Sequence, residues 1–482
     1  MKKFPHLSAV LLGALAVVGY APFYCYPVSI LALAGLFHLW RQAGNRRQGF
    51  LLGYCFGLGM FGTGVSWIYV SLHVFGAMPL AAAAFATAAF CAFIALFPAI
   101  AGWVSVHFGT HRLQAMPFAW VLMEWVLNWI FTGFPWMTLG NSQVPYSPLA
   151  GFAPLLGVFG VSLLAAIVAA LIVAVFSGGS RRPMAVAILV IWVAGSLLKL
   201  VEWSAPAGQP ISVSLLQGNI AQDMKWQEAE VARTLATYLD LARRHPAELV
   251  VLPETALPML LDQVPAGYRA ALAKAGRGDV LAGVVESRDG RYYNSMASME
   301  AGRTQIYRKD HLVPFGEFIP LKGVLGWIYN DLLHIPLTDL ASGGRQQRPL
   351  DLAGQKVAVD ICYEDVFGEE IIRQLPEATL LVNASNDAWY GNSFAAHQHL
   401  QMSQVRALET GRMMLRATNT GATAIIDRHG YVLAEAPHFA ATALTGRAQG
   451  YGGATPYVRF GNWPAISLIF LALGVLWRGK KK

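Results

Sequence analysis

Hydrophobic residues follow two rhythms along this chain. Up to residue 203 they form long, nearly unbroken runs, between 204 and 460 they alternate with polar residues in short stretches, and a last apolar run follows. A helix needs about 20 mainly apolar residues to cross a hydrocarbon core of roughly 30 Å. The runs therefore predict about eight transmembrane helices, at 6–20, 27–40, 49–72, 79–106, 114–132, 155–177, 183–201 and 461–477. The middle interval predicts strands at ISVSLLQG (211–218), ELVVLPE (248–254), DVLAGVVES (279–287), KVAVDICYE (356–364), TLLVNASN (379–386) and TAIIDRHG (423–430). EAEVARTLATYLDLARR (228–244) and HQHLQMSQVRALETG (397–411) read as helices with one apolar face. Strands and helices in alternation make a layered α/β domain. The expected organisation is a polytopic α-helical membrane bundle with seven transmembrane helices in 1–203, an α/β domain in 204–460, and the last transmembrane helix with a basic tail in 461–482.

Composition agrees: 55% hydrophobic and 13% charged residues in 482 leave too few polar side chains to solvate an ordinary globular surface. Positive charge sets the orientation, because Lys and Arg in short loops stay on the cytoplasmic side. Lys2 and Lys3 precede the first run, Arg41, Arg46 and Arg47 follow the second, Arg112 the fourth, Arg181 and Arg182 the sixth, and Arg478 with Lys480 to Lys482 ends the chain. The loops at 21–27, 73–79 and 133–154 carry no Lys or Arg. Both termini are thus expected in the cytoplasm and 204–460 outside it. The first run could instead be a cleaved signal peptide, but no clear small-x-small site follows it and the alternation of basic loops needs it as a span. The net charge of +8 lies largely in these cytoplasmic turns and the tail, which argues against nucleic acid as a partner.

Three short motifs carry the chemistry: VVLPE ending at Glu254, YRKDHLVPFGE with Lys309 and Glu317, and VDICYED with Cys362. Of four cysteines, Cys25, Cys55 and Cys91 lie in or beside apolar runs, so Cys362 is the one thiol of the α/β domain. Glu254, Cys362 and Asn386 or Asp387 fall at the carboxyl ends of predicted strands, where α/β sheets commonly carry their sites. A thiolate attacks carbonyl carbon, and a neighbouring ammonium lowers the thiol pKa and offers a donor to the oxyanion. A carboxylate there can act as general base. The N–H of Tyr363 is a second oxyanion donor, and Glu317 could orient Lys309 or Glu254. This chemistry needs no metal and no cofactor. Each residue has a plain alternative: Cys362 as a small core residue, Glu254 as a solvated strand end, Lys309 as surface charge.

In this order and with these separations, the motifs resemble the Glu-Lys-Cys triad of the nitrilase superfamily. The whole chain resembles the apolipoprotein N-acyltransferases, through APF at 21–23, GFPWMTLGNSQ at 133–143, LLQGNIAQDMKW ending at Trp226 and SNDAWYG at 385–391. The resemblance implies a nitrilase-like αββα sandwich facing the periplasm of a bacterial inner membrane. It implies an acyl chain taken from sn-1 of a phospholipid, typically phosphatidylethanolamine, held as a thioester and passed to the α-amine of the diacylglyceryl cysteine of an apolipoprotein. Glu254, Lys309 and Cys362 would then be catalytic, with Glu317, Tyr363 and Glu364 supporting them, Trp226, Asn294 and Trp389 meeting substrate, and the enzyme a monomer.

Other features stay open at this level. FIPLKGVLGWIYNDLLHIPL (318–337) reads as an interfacial lid or as a buried helix-loop. Glu124 and Asn128 line a polar cavity or make a helix–helix hydrogen bond, while Trp120, Trp125, Trp129 and Trp136 read as belt and packing residues. His397 and His399, two apart on one helix, point to different faces, which argues against a shared metal. Two rival functions are a membrane-tethered amidase with water as final acceptor and a transporter with an extracytoplasmic binding domain, but no inverted repeat supports the latter.

Overall fold

A backbone surrounded by hydrocarbon has to satisfy its polar groups internally, and each apolar run is accordingly helical. The computed structural model describes residues 4–177, 181–222, 228–300, 304–318 and 339–480. It divides into two units, one made of Met1–Tyr69, Pro79–Glu202 and Thr455–Lys482, the other of Val70–Met78 and Trp203–Ala454.

In the first unit the helices include Pro5–Ala16, Tyr26–Gln42, Arg46–Gly64, Leu80–Ile94, Leu96–His107, Arg112–Leu127, Ala153–Phe176, Arg181–Leu198 and Trp463–Lys480. Every expected span thus contains a helix, but fewer qualify as crossings by length and apolarity. Three do, Leu80–His107, Pro148–Phe176 and Arg181–Leu198, and a fourth does if Arg46–Gly64 and Ile68–Phe75, bent by 56°, count as one broken span. The others fall short for physical reasons: Tyr26–Gln42 and Arg112–Leu127 have 17 and 16 residues, and the last helix carries Arg478 and Lys480. Pro5–Ala16 and Arg46–Gly64 touch backbone to backbone. A Cβ on Gly13 would stand 2.0 Å from the Phe56 carbonyl oxygen, and one on Gly59 the same distance from that of Val10. Small residues permit such approach where water supplies no drive to associate. Glu124 is bonded within the unit: its Oε1 accepts from the Trp120 indole at 2.7 Å and from the Leu139 N–H at 2.9 Å, and the side chain borders a small cavity walled mainly by Met60, Phe61, Phe97 and Trp136. The tryptophans pack, Trp67 on Trp136 and Trp125 on Trp129.

The second unit carries the strands β1 (Ala205–Pro206), β2 (Ile211–Gln217), β3 (Leu249–Val251), β4 (Leu257–Leu260), β5 (Asp279–Arg288), β6 (Arg291–Ser298) and β7 (Ile306–Arg308). They continue with β8 (Leu350–Leu352), β9 (Gln355–Ile361), β10 (Leu380–Ser385), β11 (Met414–Thr418), β12 (Ala424–Ile426), β13 (Val432–Glu435), β14 (Thr442–Ala448) and β15 (Tyr451–Gly452). One sheet runs β14-β2-β3-β5-β6-β7 with β4 on β5, a second runs β13-β12-β11-β10-β9-β8, and β1 pairs β15. The alternating pattern of the sequence now has a cause. Val213, Leu215, Leu249, Val251 and Leu281 of the first sheet meet Val357, Val359, Ile361, Leu380, Val382 and Leu415 of the second in one core. Residues one position away, Leu216, Val250, Val280 and Ala282, turn to the other face and pack with Tyr238, Leu241 and Leu272 of the helices Glu228–Arg244 and Ala266–Ala275. The Phe394–Thr410 helix lies against β11 and β12 on the outside of the second sheet. This is the expected αββα layering.

β2, β3 and β5 run parallel in one sheet, with β5 continuing past the end of β3, and the parallel strands β9, β10 and β11 of the other end together. Three expected strand ends are corrected, those through 248–254 and 423–430 stopping at Val251 and Ile426. The strand drawn through 356–364 stops at Ile361, because Cys362 sits at φ +53° and opens a 3₁₀ turn, Cys362–Val366. That left-handed conformation is costly for a residue with a Cβ and breaks the ladder.

Candidate active site

Glu254 lies three residues beyond β3, 7% exposed. Its loop is pressed onto β5 at Gly283, where a Cβ would stand 2.3 Å from the Pro253 oxygen and 2.4 Å from the Thr255 nitrogen. Lys309 directly follows β7 and is 1% exposed. Its ammonium donates to Glu317 Oε1 at 3.0 Å and to Glu254 Oε1 at 3.4 Å. Asn294, on β6, is wedged under both carboxylates: its Nδ2 donates to Glu254 Oε1 at 2.7 Å and to Glu317 Oε1 at 3.0 Å, and its carbonyl accepts the Lys309 N–H at 2.8 Å. The other oxygen of Glu317 accepts the Val313 N–H at 2.8 Å, closing the Lys309–Glu317 loop on itself. Burial opposes the Lys309 charge, yet Glu317, Glu254 and Cys362 hold it well above the ordinary lysine range. The sequence reading placed Asn294 at the substrate; the structure places it where it spaces two carboxylates about one ammonium.

Cys362 starts the turn after β9. Burial first, then Glu254, push its thiol well above the ordinary cysteine range, while Lys309 and a hydrogen bond with Ser385 pull it down. The resting group is a neutral thiol beside a carboxylate and an ammonium. Such a thiol needs a base in the attacking step. Its backbone carbonyl accepts from Asn383 Nδ2 at 3.1 Å and faces His399 Nε2 at 3.1 Å. Tyr363 packs its ring edge-on to Phe367 and His311.

Glu364 joins the two loops. It accepts the N–H of Ile361 at 2.7 Å, of Asp310 at 2.7 Å and of His311 at 3.1 Å, and the Tyr307 hydroxyl at 3.0 Å. Burial pushes it up to about 8 even though these N–H groups and Lys309 favour its carboxylate. Trp389, 40% exposed in the Asp387–Tyr390 turn, meets Phe75 edge-on at 6.2 Å, so the Val70–Met78 stretch borders the turn. Trp226 and 319–337 of the expected lid lie outside the described residues.

Four buried charged residues were not singled out by spacing as one group. Asp365, Asp387, His399 and Arg416 meet directly beneath Cys362, each with at most 1% of its side chain exposed. They come from two turns, a helix and a strand spread over 51 residues. The sequence had offered Asp387 at a strand end and His399 on the helix after it, with nothing to join them. His397 points elsewhere, stacking on His438 at 4.8 Å beside Glu435. Among the described residues these three could bring ligand atoms within 4.8 Å of one another.

Residues 12–171 match the family model described as the apolipoprotein N-acyltransferase N-terminal domain, and residues 212–457 match carbon-nitrogen hydrolase. The chain is 51% identical over 482 residues to the apolipoprotein N-acyltransferase of Nitrosomonas europaea, covering 98% of this chain and 96% of that one. It is 44% identical over 489 residues to that of Methylococcus capsulatus, covering 99% and 96%.

Proposed function

We propose a mechanism from one premise: the chain belongs to the apolipoprotein N-acyltransferase family, and is a membrane-associated enzyme that N-acylates lipoproteins. Glu254, Lys309 and Cys362 are its catalytic residues, and the acyl donor is a phospholipid ester. The observation that carries this reading is the buried Glu254–Lys309–Glu317 cluster beside a thiol at a left-handed backbone position.

In the first half-reaction Glu254 takes the Cys362 proton as sulfur attacks the ester carbonyl. The oxyanion forms against the Lys309 ammonium and the Tyr363 N–H. Collapse breaks the ester bond, Glu254 returns the proton to the lysophospholipid alkoxide, and the acyl group remains as a thioester. In the second, the α-amine of the diacylglyceryl cysteine gives a proton to Glu254 and attacks the thioester. The C–S bond breaks, the amide forms, and the proton restores the Cys362 thiol. Asn294, Glu317 and Glu364 hold the geometry, and Trp226 and Trp389 contact lipid. The catalytic unit faces the periplasm of the inner membrane, with a multi-pass bundle, both termini cytoplasmic, and a monomer as the working form.

Intact mass of the detergent-purified protein after incubation with phosphatidylethanolamine tests this. The expected result is a gain of one acyl mass that neutral hydroxylamine removes and that Cys362→Ala lacks. An adduct that persists without Cys362, or folded, active protein that forms none, rejects the mechanism.

A further inference from the structure

We propose that His399 is a positioning residue, held as an imidazolium, that locks the turn bearing Cys362 through that residue's carbonyl. The inference rests on Cys362 being the nucleophile. Both ring nitrogens of His399 face acceptors. Nδ1 lies 3.0 Å from Asp387 Oδ1, and Nε2 lies 2.7 Å from Asp365 Oδ1 and 3.1 Å from the Cys362 carbonyl oxygen. A neutral imidazole has one N–H, so either tautomer would aim a lone pair at an oxygen in a site closed to bulk solvent. Only the doubly protonated ring answers all three.

Charge counting gives the same result. Arg416 bridges the two carboxylates, to Asp365 Oδ2 at 3.0 Å and Asp387 Oδ2 at 2.8 Å. One guanidinium against two carboxylates leaves a buried negative charge, and an imidazolium cancels it. Among the described residues the charged groups around the ring include Asp365 from the Cys362 turn, Asp387 from the turn after β10 and Arg416 from β11, with the neutral Ser403 one helical turn on and Arg406, ion-paired with Glu409, donating to the Asp365 backbone carbonyl. Asp360, next to Asn383, is raised well above the carboxylate range by burial and by Asp365, which favours its neutral form. Burial and Arg416 oppose protonation of His399, but Asp365 and Asp387 hold it up at about 9. The folded value exceeds the unfolded one, so this stabilisation is complete below pH of about 6.5 and is lost as pH rises through about 9.

The network reaches the nucleophile twice. Arg416 donates to Asn383 Oδ1 at 2.7 Å, and Asn383 Nδ2 donates to the Cys362 carbonyl at 3.1 Å, beside the imidazolium. Two donors on one carbonyl fix the peptide plane that follows Cys362, and with it the left-handed backbone that aims the thiol at Glu254 and Lys309.

The test is His399→Gln in the full chain in phospholipid nanodiscs, reading kcat and KM for phospholipid between about pH 6 and 10. Glutamine keeps one donor and loses the charge. The expected result is a wild-type kcat that falls near pH 9, and a variant with kcat down about 10-fold or more, KM unchanged, as loss of positioning gives, and no such alkaline fall. Unchanged kcat, or a lower kcat that keeps the wild-type alkaline limb, overturns the proposal. Should the variant not fold, ¹⁵N-histidine spectra of the wild type decide. A persistent imidazolium at about pH 8, above the ordinary histidine range, supports the proposal, and its absence overturns it. A wild type that forms no adduct on Cys362 rejects the nucleophile assignment instead, and the spectra still report the charge of His399.

Discussion

Lys309 keeps its ammonium 3.0 Å from Glu317 and 3.4 Å from Glu254 with 1% of the residue exposed, so the proposed catalysis and the folding draw on the same charge. Lys309→Met leaves two buried carboxylates with Asn294 as their shared donor, and breaking a buried pair this way costs on the order of 3–5 kcal/mol. The variant should lose turnover and unfold at a clearly lower temperature. Lys309→Arg should not restore activity, because a planar fork cannot replace a point charge between two carboxylates. Thermal unfolding beside a turnover assay checks this, and a Met variant as stable as wild type would show that the charges are not paired in the folded protein. These residues were legible because the chain writes them in continuous strings: Glu317 is eight residues from Lys309, and Glu364 two from Cys362. His399 and Arg416 were not, because they meet Asp365 across separations of 34 and 51 residues that the sheet closes and no local spacing encodes.

Elements place these groups through backbone contacts that side-chain motifs do not reveal. The Glu254 loop rests on β5 at Gly283, which has room for a hydrogen and nothing larger. Gly283→Ala drives a methyl into backbone atoms, not into a flexible side chain, so the loop has to move. Displacement of a base by about 1 Å can cost roughly 10²-fold in rate, and overpacking costs about 1–3 kcal/mol. The expected phenotype is a folded protein with turnover down about 100-fold and Cys362 still open to alkylation by a small maleimide. Unimpaired turnover would show that the Pro253–Thr255 contact does not set the base. Sequence periodicity found β2, β5 and β10 nearly to their ends and overran β9 by three residues, since each is a buried run alternating between two apolar layers. Among the strands it missed are the buried β11, which carries Arg416, and β6 and β14, whose polar residues, such as Arg291, Asn294, Thr442 and Arg447, mask the pattern. Asn294 therefore lost its context, and its place under the two carboxylates needed the structure.

At the scale of the whole chain, two kinds of information separate. Apolarity says which stretches prefer lipid, and the helices confirm that preference more clearly than a count of crossings. Tyr26–Gln42, at 17 residues and a rise of about 1.5 Å each, reaches roughly 25 Å, short of an average hydrocarbon core, and a crossing there needs a thinner bilayer or flanking residues that reach the interface. Length thus does not decide the topology, whereas the placement of charge makes a definite statement, because a run that failed to cross would put a basic loop and its uncharged neighbour on one side. Alkaline phosphatase, which works only outside the cytoplasm, fused after Gly44 or Gly109 should be inactive, and fused after Tyr24, Gly76 or Gln143 active. Equal activity after Tyr24 and Gly44 would remove Tyr26–Gln42 as a crossing and invert everything counted from it. The proposed chemistry sharpens the stake: with a phospholipid donor and a lipid-anchored acceptor, the side on which the unit with Cys362 lies would decide which leaflet supplies the acyl chain.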